Sequence, residues 1–133
     1  MNQLFQSMMG LPRWVQLWLP ILFGTNMVST AFLDQEVGRY TALAFAIVCM
    51  FNMPMMFIQR GMTRLLAIPH FAWFPLVVYL FGQLWGSQPL PAGPVRTYAL
   101  LVFALNSFSL AFDVIDAAKW VGGRREVLGL QRT

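Results

Sequence analysis

The chain is expected to fold as an all-α membrane protein: a four-helix transmembrane bundle with short loops and both termini on the cytoplasmic side. Three observations point there. Of the 133 residues, 58% are hydrophobic and only 11% are charged, about half the charged share of a soluble domain. Four stretches approach the ~20 apolar residues that a helix needs to cross a hydrocarbon core. The cationic side chains also fall unevenly on the two sides of those stretches.

The first span is WVQLWLPILFGTNMVSTAF, Trp14 to Phe32, and the second is YTALAFAIVCMFNMPMMF, Tyr40 to Phe57. The third runs from Leu65 to Trp85 and the fourth from Arg96 to Trp120. None shows the two-residue alternation of a barrel strand, and an open sheet would leave backbone groups unpaired in lipid. The connections LDQEVGR, IQRGMTR and GSQPLPAGP are short, and the prolines of the last make it a stiff surface link. The whole chain therefore reads as one domain.

Arg13, Arg60, Arg64, Lys119, Arg124, Arg125 and Arg132 collect on one side of the spans, Arg39 and Arg96 on the other. The cation-rich side is the cytoplasmic one, which places both termini there, in a membrane of the bacterial inner type. Trp14, Trp85 and Trp120 stand at span ends, where interfacial indoles belong. Residues 1–13 put Leu4, Phe5, Met8, Met9 and Leu11 on one helical side, as in a segment lying in the interface. Residues 121–133 form a basic tail that breaks at Gly122–Gly123 and faces anionic headgroups.

Several function classes drop out. A single cysteine, Cys49, rules out an internal disulfide and a cysteine-only metal site. Nucleic acid is not an expected partner, because no basic run of five exists. The stretch CMFNMPMMF offers thioethers and a thiol that suit Cu(I), but methionine is also a filler of irregular cores. One histidine forbids bis-histidine haem ligation. No nucleophile, zinc or phosphate-loop motif is present. No cofactor or metal is expected, and catalysis is less expected than its absence.

Polar residues inside spans are the best pointers to function, since each costs free energy unless paired. On the fourth span Asn106, Ser109, Asp113, Asp116 and Trp120 recur at spacings of three and four. They form one stripe turned to the bundle, with Leu101, Leu105, Phe108, Phe112 and Ile115 turned largely to lipid. At 1.5 Å per residue Asp113 lies ~10 Å inside the cytoplasmic boundary, His70 ~8 Å and Asn52 ~12 Å. Gln16 opens the first span at the same side. Asn52, His70, Asp113, Asp116 and Gln16 are thus the candidate proton or ligand site. Asp116 can pair with Lys119 on its own helix. Asn26 and Ser29 on the first span, with Asn106 and Ser109 on the fourth, are candidate helix–helix polar contacts.

Three functional readings follow. The first is a non-catalytic subunit, assembly factor or partner-binding bundle, working beside other membrane chains or its own copies. The second is a small proton-linked transporter that uses Asp113 and His70. The third is a lipid- or quinone-binding membrane protein.

Overall fold

The computed structural model describes residues 2–130, so Met1 and, in the expected basic tail, Arg132 lie outside the described residues. Five α-helices follow in order: α1 Asn2–Met9, α2 Arg13–Met27, α3 Glu36–Ile58, α4 Trp73–Trp85 and α5 Pro94–Val121. Tighter 3-10 turns occupy Val28–Phe32, Arg64–Ala67 and Pro69–Ala72. The described residues contain no strand.

Among the described residues three helical segments are long and apolar enough to cross a membrane: Glu36–Ile58, Arg64–Trp85 and Pro94–Val121. The stretch expected as the first span differs. It is α-helical only over the 15 residues Arg13–Met27 and then tightens to 3-10. The Thr30 hydroxyl donates to the Met27 carbonyl at 2.9 Å, a local bond that competes with the helical ladder.

The third stretch differs from a regular helix too. Its α-helical part is 13 residues, Trp73–Trp85, entered through two 3-10 turns. Pro69 stands at the start of the second turn, and Pro75 stands in the first turn of α4, where its missing N–H would be an orphan anyway. A wound but irregular entry costs little there, and it carries His70 into the bundle.

The core lies where α4 crosses α5, with α2 and α3 closing it. Leu80, Leu84, Val102 and Ala99 are fully enclosed, and Leu22, Val37, Val48, Trp73, Leu76 and Leu110 surround them. Leu101, Phe108, Phe112 and Ile115 of α5 point outward, whereas Leu105, expected on the same face, packs against the core, so the long helix is split between an enclosed polar-and-small face and an apolar outer face.

One end of the bundle is tied by a knot of three segments. Helix α3 stops in a Schellman turn, in which Gly61 N–H donates to the Met56 carbonyl and Arg60 N–H to the Phe57 carbonyl. Arg60 takes the left-handed position of that turn, φ 55°, which favours glycine. The buried Ser7 hydroxyl then donates to the Leu128 carbonyl at 2.6 Å and accepts from Met62 N–H at 2.9 Å. Leu128 N–H returns a bond to the Met62 carbonyl at 2.7 Å. Gly10 and Gly129 touch backbone to backbone, since a Cβ on Gly10 would lie 1.9 Å from the Gly129 carbonyl oxygen. Helix α1, the turn after α3 and the C-terminal strap are thereby fastened together.

A candidate ligand cavity with a polar wall

Two polar groups cross the interior of the bundle. In the first, Asn26 of α2 and Asn106 of α5 exchange amide hydrogen bonds at 2.9 and 3.0 Å, and both residues are fully buried. Asn26 also donates to the Leu22 carbonyl one turn back. Nearby, Tyr98 hydroxyl donates to the Thr25 carbonyl at 2.9 Å. Ser29, on the 3-10 turn beyond α2, is buried, and its hydroxyl has no hydrogen-bond partner among the described residues.

The second group joins four side chains from three segments. Ser109 Oγ donates to Asp113 Oδ2 at 3.2 Å, one turn apart on α5. Asp113 Oδ1 lies 2.9 Å from His70 Nδ1. His70 Nε2 lies 3.0 Å from Asn52 Nδ2, on α3. The tautomer follows the placement of the Asn52 amide: with its N–H towards Nε2, Nδ1 carries the proton and donates to the carboxylate. The imidazole is stacked on the indole of Trp73, centroids 4.4 Å apart and planes 6° apart. That stack follows from the 3-10 entry, because residues three apart eclipse each other in such a turn.

Gln16 and Asp116 do not join this chain. Gln16 Nε2 donates to the Met9 and Leu11 carbonyls at 2.9 and 2.7 Å, which latches α2 to the end of α1. Asp116 meets Arg64 rather than Lys119, its Oδ1 3.3 Å from the arginine Nε. Arg64 also pairs with Glu126 of the strap. The pair with Lys119 is displaced because the Arg64–Ala67 turn packs directly on α5. The Glu126 carboxyl is held below its ordinary value, first by its own backbone N–H and then by Arg64.

Beside the second group lies a cavity of about 430 Å³, within the 300–1,000 Å³ range of small-molecule sites. Asn52, His70, Trp73 and Gln16 are the residues with nitrogen-bearing side chains that line it. The remaining wall is apolar and rich in sulfur: Cys49, Met53 and Met56 of α3, Met8 and Met9 of α1, and Met62. Flexible thioether walls reshape easily around an occupant. Among the described residues no arginine, lysine or carboxylate lines it. Among the described residues no cluster of three or more His, Cys, Asp or Glu side chains is placed to hold a metal.

Sequence reasoning missed three contributors. Trp73 was one apolar residue among many, and only its three-residue distance from His70 hinted at the stack. The part of Met8 and Met9 in the cavity wall had no local signal, because it depends on the Ser7 contacts with Met62 and Leu128, far along the chain. Comparison of the chain with protein-family models, curated proteins and solved structures finds no match, so the chemistry rests on this geometry.

Proposed function

We propose that the chain is an integral membrane protein of four spans, with both ends cytoplasmic, that binds an amphiphilic small molecule of the lipid or quinone type between α2, α3 and the 64–73 entry to α4. The observation that carries this reading is the juxtaposition of a part-buried Ser109–Asp113–His70–Asn52 chain with a 430 Å³ apolar cavity. Ligand sites combine an apolar wall with a few convergent polar groups in this way. Four spans are supported by length: Arg13–Met27 together with Val28–Phe32 reach ~32 Å at ~1.5 Å per α-helical and ~2.0 Å per 3-10 residue. The orientation is supported by the seven-to-two distribution of cations read from the sequence.

The subunit reading rests on what the chain lacks. The ligand reading rests on a cavity with a polar wall, and it therefore stands first. In it the imidazole and carboxylate hold Asn52 and Trp73 in place at the wall, and the methionines accommodate the tail. The test is native mass spectrometry of the protein released from its own membranes. A bound mass of a few hundred daltons is expected on the wild type and should be lost from Met53→Trp, which fills the cavity without touching the polar chain. A wild type that flies bare, or a bound mass that survives the filling, overturns the reading.

A further inference from the structure

The net charge of +4 is concentrated at one end of the bundle. At the far end Arg39 and Arg96 are matched in number by Asp34 and Glu36. The excess therefore belongs to the segments that meet at the tied end, where α2 starts and α3 and α5 stop, and to the tail beyond. The carboxylates of that end are already engaged. Asp113 meets His70, and Asp116 and Glu126 both meet Arg64. Because Arg64 displaces Lys119 from Asp116, five cations remain: Arg13, Arg60, Lys119, Arg124 and Arg125 have no carboxylate at ion-pair distance among the described residues.

These cations stand beside exposed apolar surface at three helix ends. Trp14, exposed, follows Arg13 at the start of α2. Ile58 and Val121, the last residues of α3 and α5, are 79% and 78% exposed, more than any other large apolar side chain among the described residues. Arg60 and Arg124 follow them closely in the chain. At the end of α5 a glycine turn folds the chain back. Gly123 takes φ 93°, and Arg124 N–H donates to the Lys119 carbonyl at 2.9 Å. The Arg125 guanidinium thereby lies over the Trp120 ring, 5.5 Å from its centre. Further into the bundle an aromatic wall continues between α2 and α5. Trp14 packs on Phe112, Phe112 on Phe108 and Phe108 on Trp18, with centroids 5.7, 5.0 and 4.9 Å apart.

We propose that this rim gathers anionic phospholipid from the surrounding bilayer, with headgroup phosphates among the five cations and acyl chains along Trp14, Trp18, Phe108 and Phe112. Charge complementarity and the position of the wall choose this occupant. A zwitterionic lipid covers the wall and leaves the cations without net countercharge. A soluble acidic protein supplies countercharge and leaves the wall bare. An anionic phospholipid does both, as juxtamembrane cations attract an anionic leaflet and indoles lie at headgroup level. Several lipids share the rim, so no single phosphate has to bridge the three helix ends. The inference rests on the membrane placement proposed above and is independent of what fills the cavity.

The test is spin-label electron paramagnetic resonance of the full-length chain in phosphatidylcholine bilayers. Trace phosphatidylglycerol or phosphatidylcholine, labelled near the end of one acyl chain, reports lipid held against the protein as a motionally restricted component. At low salt that component should favour phosphatidylglycerol by about threefold, and ~1 M NaCl should bring the ratio close to one. The triple variant Arg13→Gln, Arg124→Gln, Arg125→Gln should lose most of the preference. Arg39→Gln, at the far end, should keep it. Equal affinity for the two lipids in the wild type, or a preference that survives the salt, overturns the proposal. A preference that the triple variant keeps, or that Arg39→Gln loses, overturns the assignment to this rim. A poly-glutamate peptide that binds and is not displaced by phosphatidylglycerol overturns it in favour of an acidic protein partner. If no lipid is restricted at all, the membrane placement falls with the proposal, whereas restricted lipid without preference leaves that placement standing. The lipid and salt comparisons are made on the wild type, so they do not depend on any variant folding.

Discussion

The two polar groups inside the bundle are built from similar side chains and end differently. Asn26 and Asn106 close on themselves, each buried amide giving and receiving a bond between two helices. The Ser109–Asp113–His70–Asn52 chain does not close. It runs from α5 to α3 and stops at Asn52, whose oxygen has no partner among the described residues, on a cavity wall. A closed pair can only hold helices together, whereas an open one has capacity left for something else. Polarity within a span thus marks a functional candidate only when its hydrogen-bonding capacity exceeds what its neighbours use.

This contrast can be broken by mutation, and the largest effect should come from the open chain. Asp113→Leu strands the His70 Nδ1–H and His70→Leu strands the carboxylate, so a double-mutant cycle on unfolding in mixed micelles should give a coupling of about 2 kcal/mol. Additive single effects would mean that the two side chains do not bond in the membrane. Next, Asn26→Leu or Asn106→Leu should each cost about 1–2 kcal/mol by orphaning the other amide. Their coupling should be nearer ~0.6–1.7 kcal/mol, as for other hydrogen bonds between membrane helices. Ligand occupancy should not change in either, and a loss of bound ligand in Asn106→Leu would erase the distinction between the two groups.

Smaller effects are expected at the tied end. Arg60→Gly relieves a left-handed side chain in the turn after α3 and should stabilise the fold by about 1 kcal/mol. A destabilised variant would show that the arginine head group matters more than its backbone. The Glu126–Arg64 contact sets the smallest. Its carboxyl is lowered from the ordinary value, so the contact is fully present above the ordinary glutamate range near ~4.3 and is lost as pH falls below it. The Arg64 guanidinium NMR signal should therefore shift below ~4.3 in the wild type, and the shift should shrink in Glu126→Gln, where Asp116 remains beside Arg64. An inflection above ~4.3 would contradict the assigned sign.

Much of this was legible before any coordinates. Helical composition, the three long apolar segments and the similar depths of Asn52, His70 and Asp113 all follow from hydropathy and the rise of a helix. The rest was not, for identifiable reasons. Apolar runs read alike whether they wind as α or 3-10, so the irregular entry before Trp73 and the tightening after Met27 left no mark in hydropathy. Only Pro69 and the Ser29–Thr30 pair hinted at them. Helical spacing offered Asp116 only Lys119, and its pairing with Arg64 depends on a turn that packs against α5. The cavity depends on α1 being fastened by Ser7 to Met62 and Leu128, contacts between distant segments that no periodicity announces.

The central claim is that the open chain marks a ligand site and the closed pair does not. Native mass spectrometry of wild type, Asn52→Leu and Asn106→Leu, each released from the same membranes, tests it directly. The account predicts a bound amphiphile on the wild type and on Asn106→Leu, and its loss from Asn52→Leu. Equal occupancy in all three, or none in any, would contradict it.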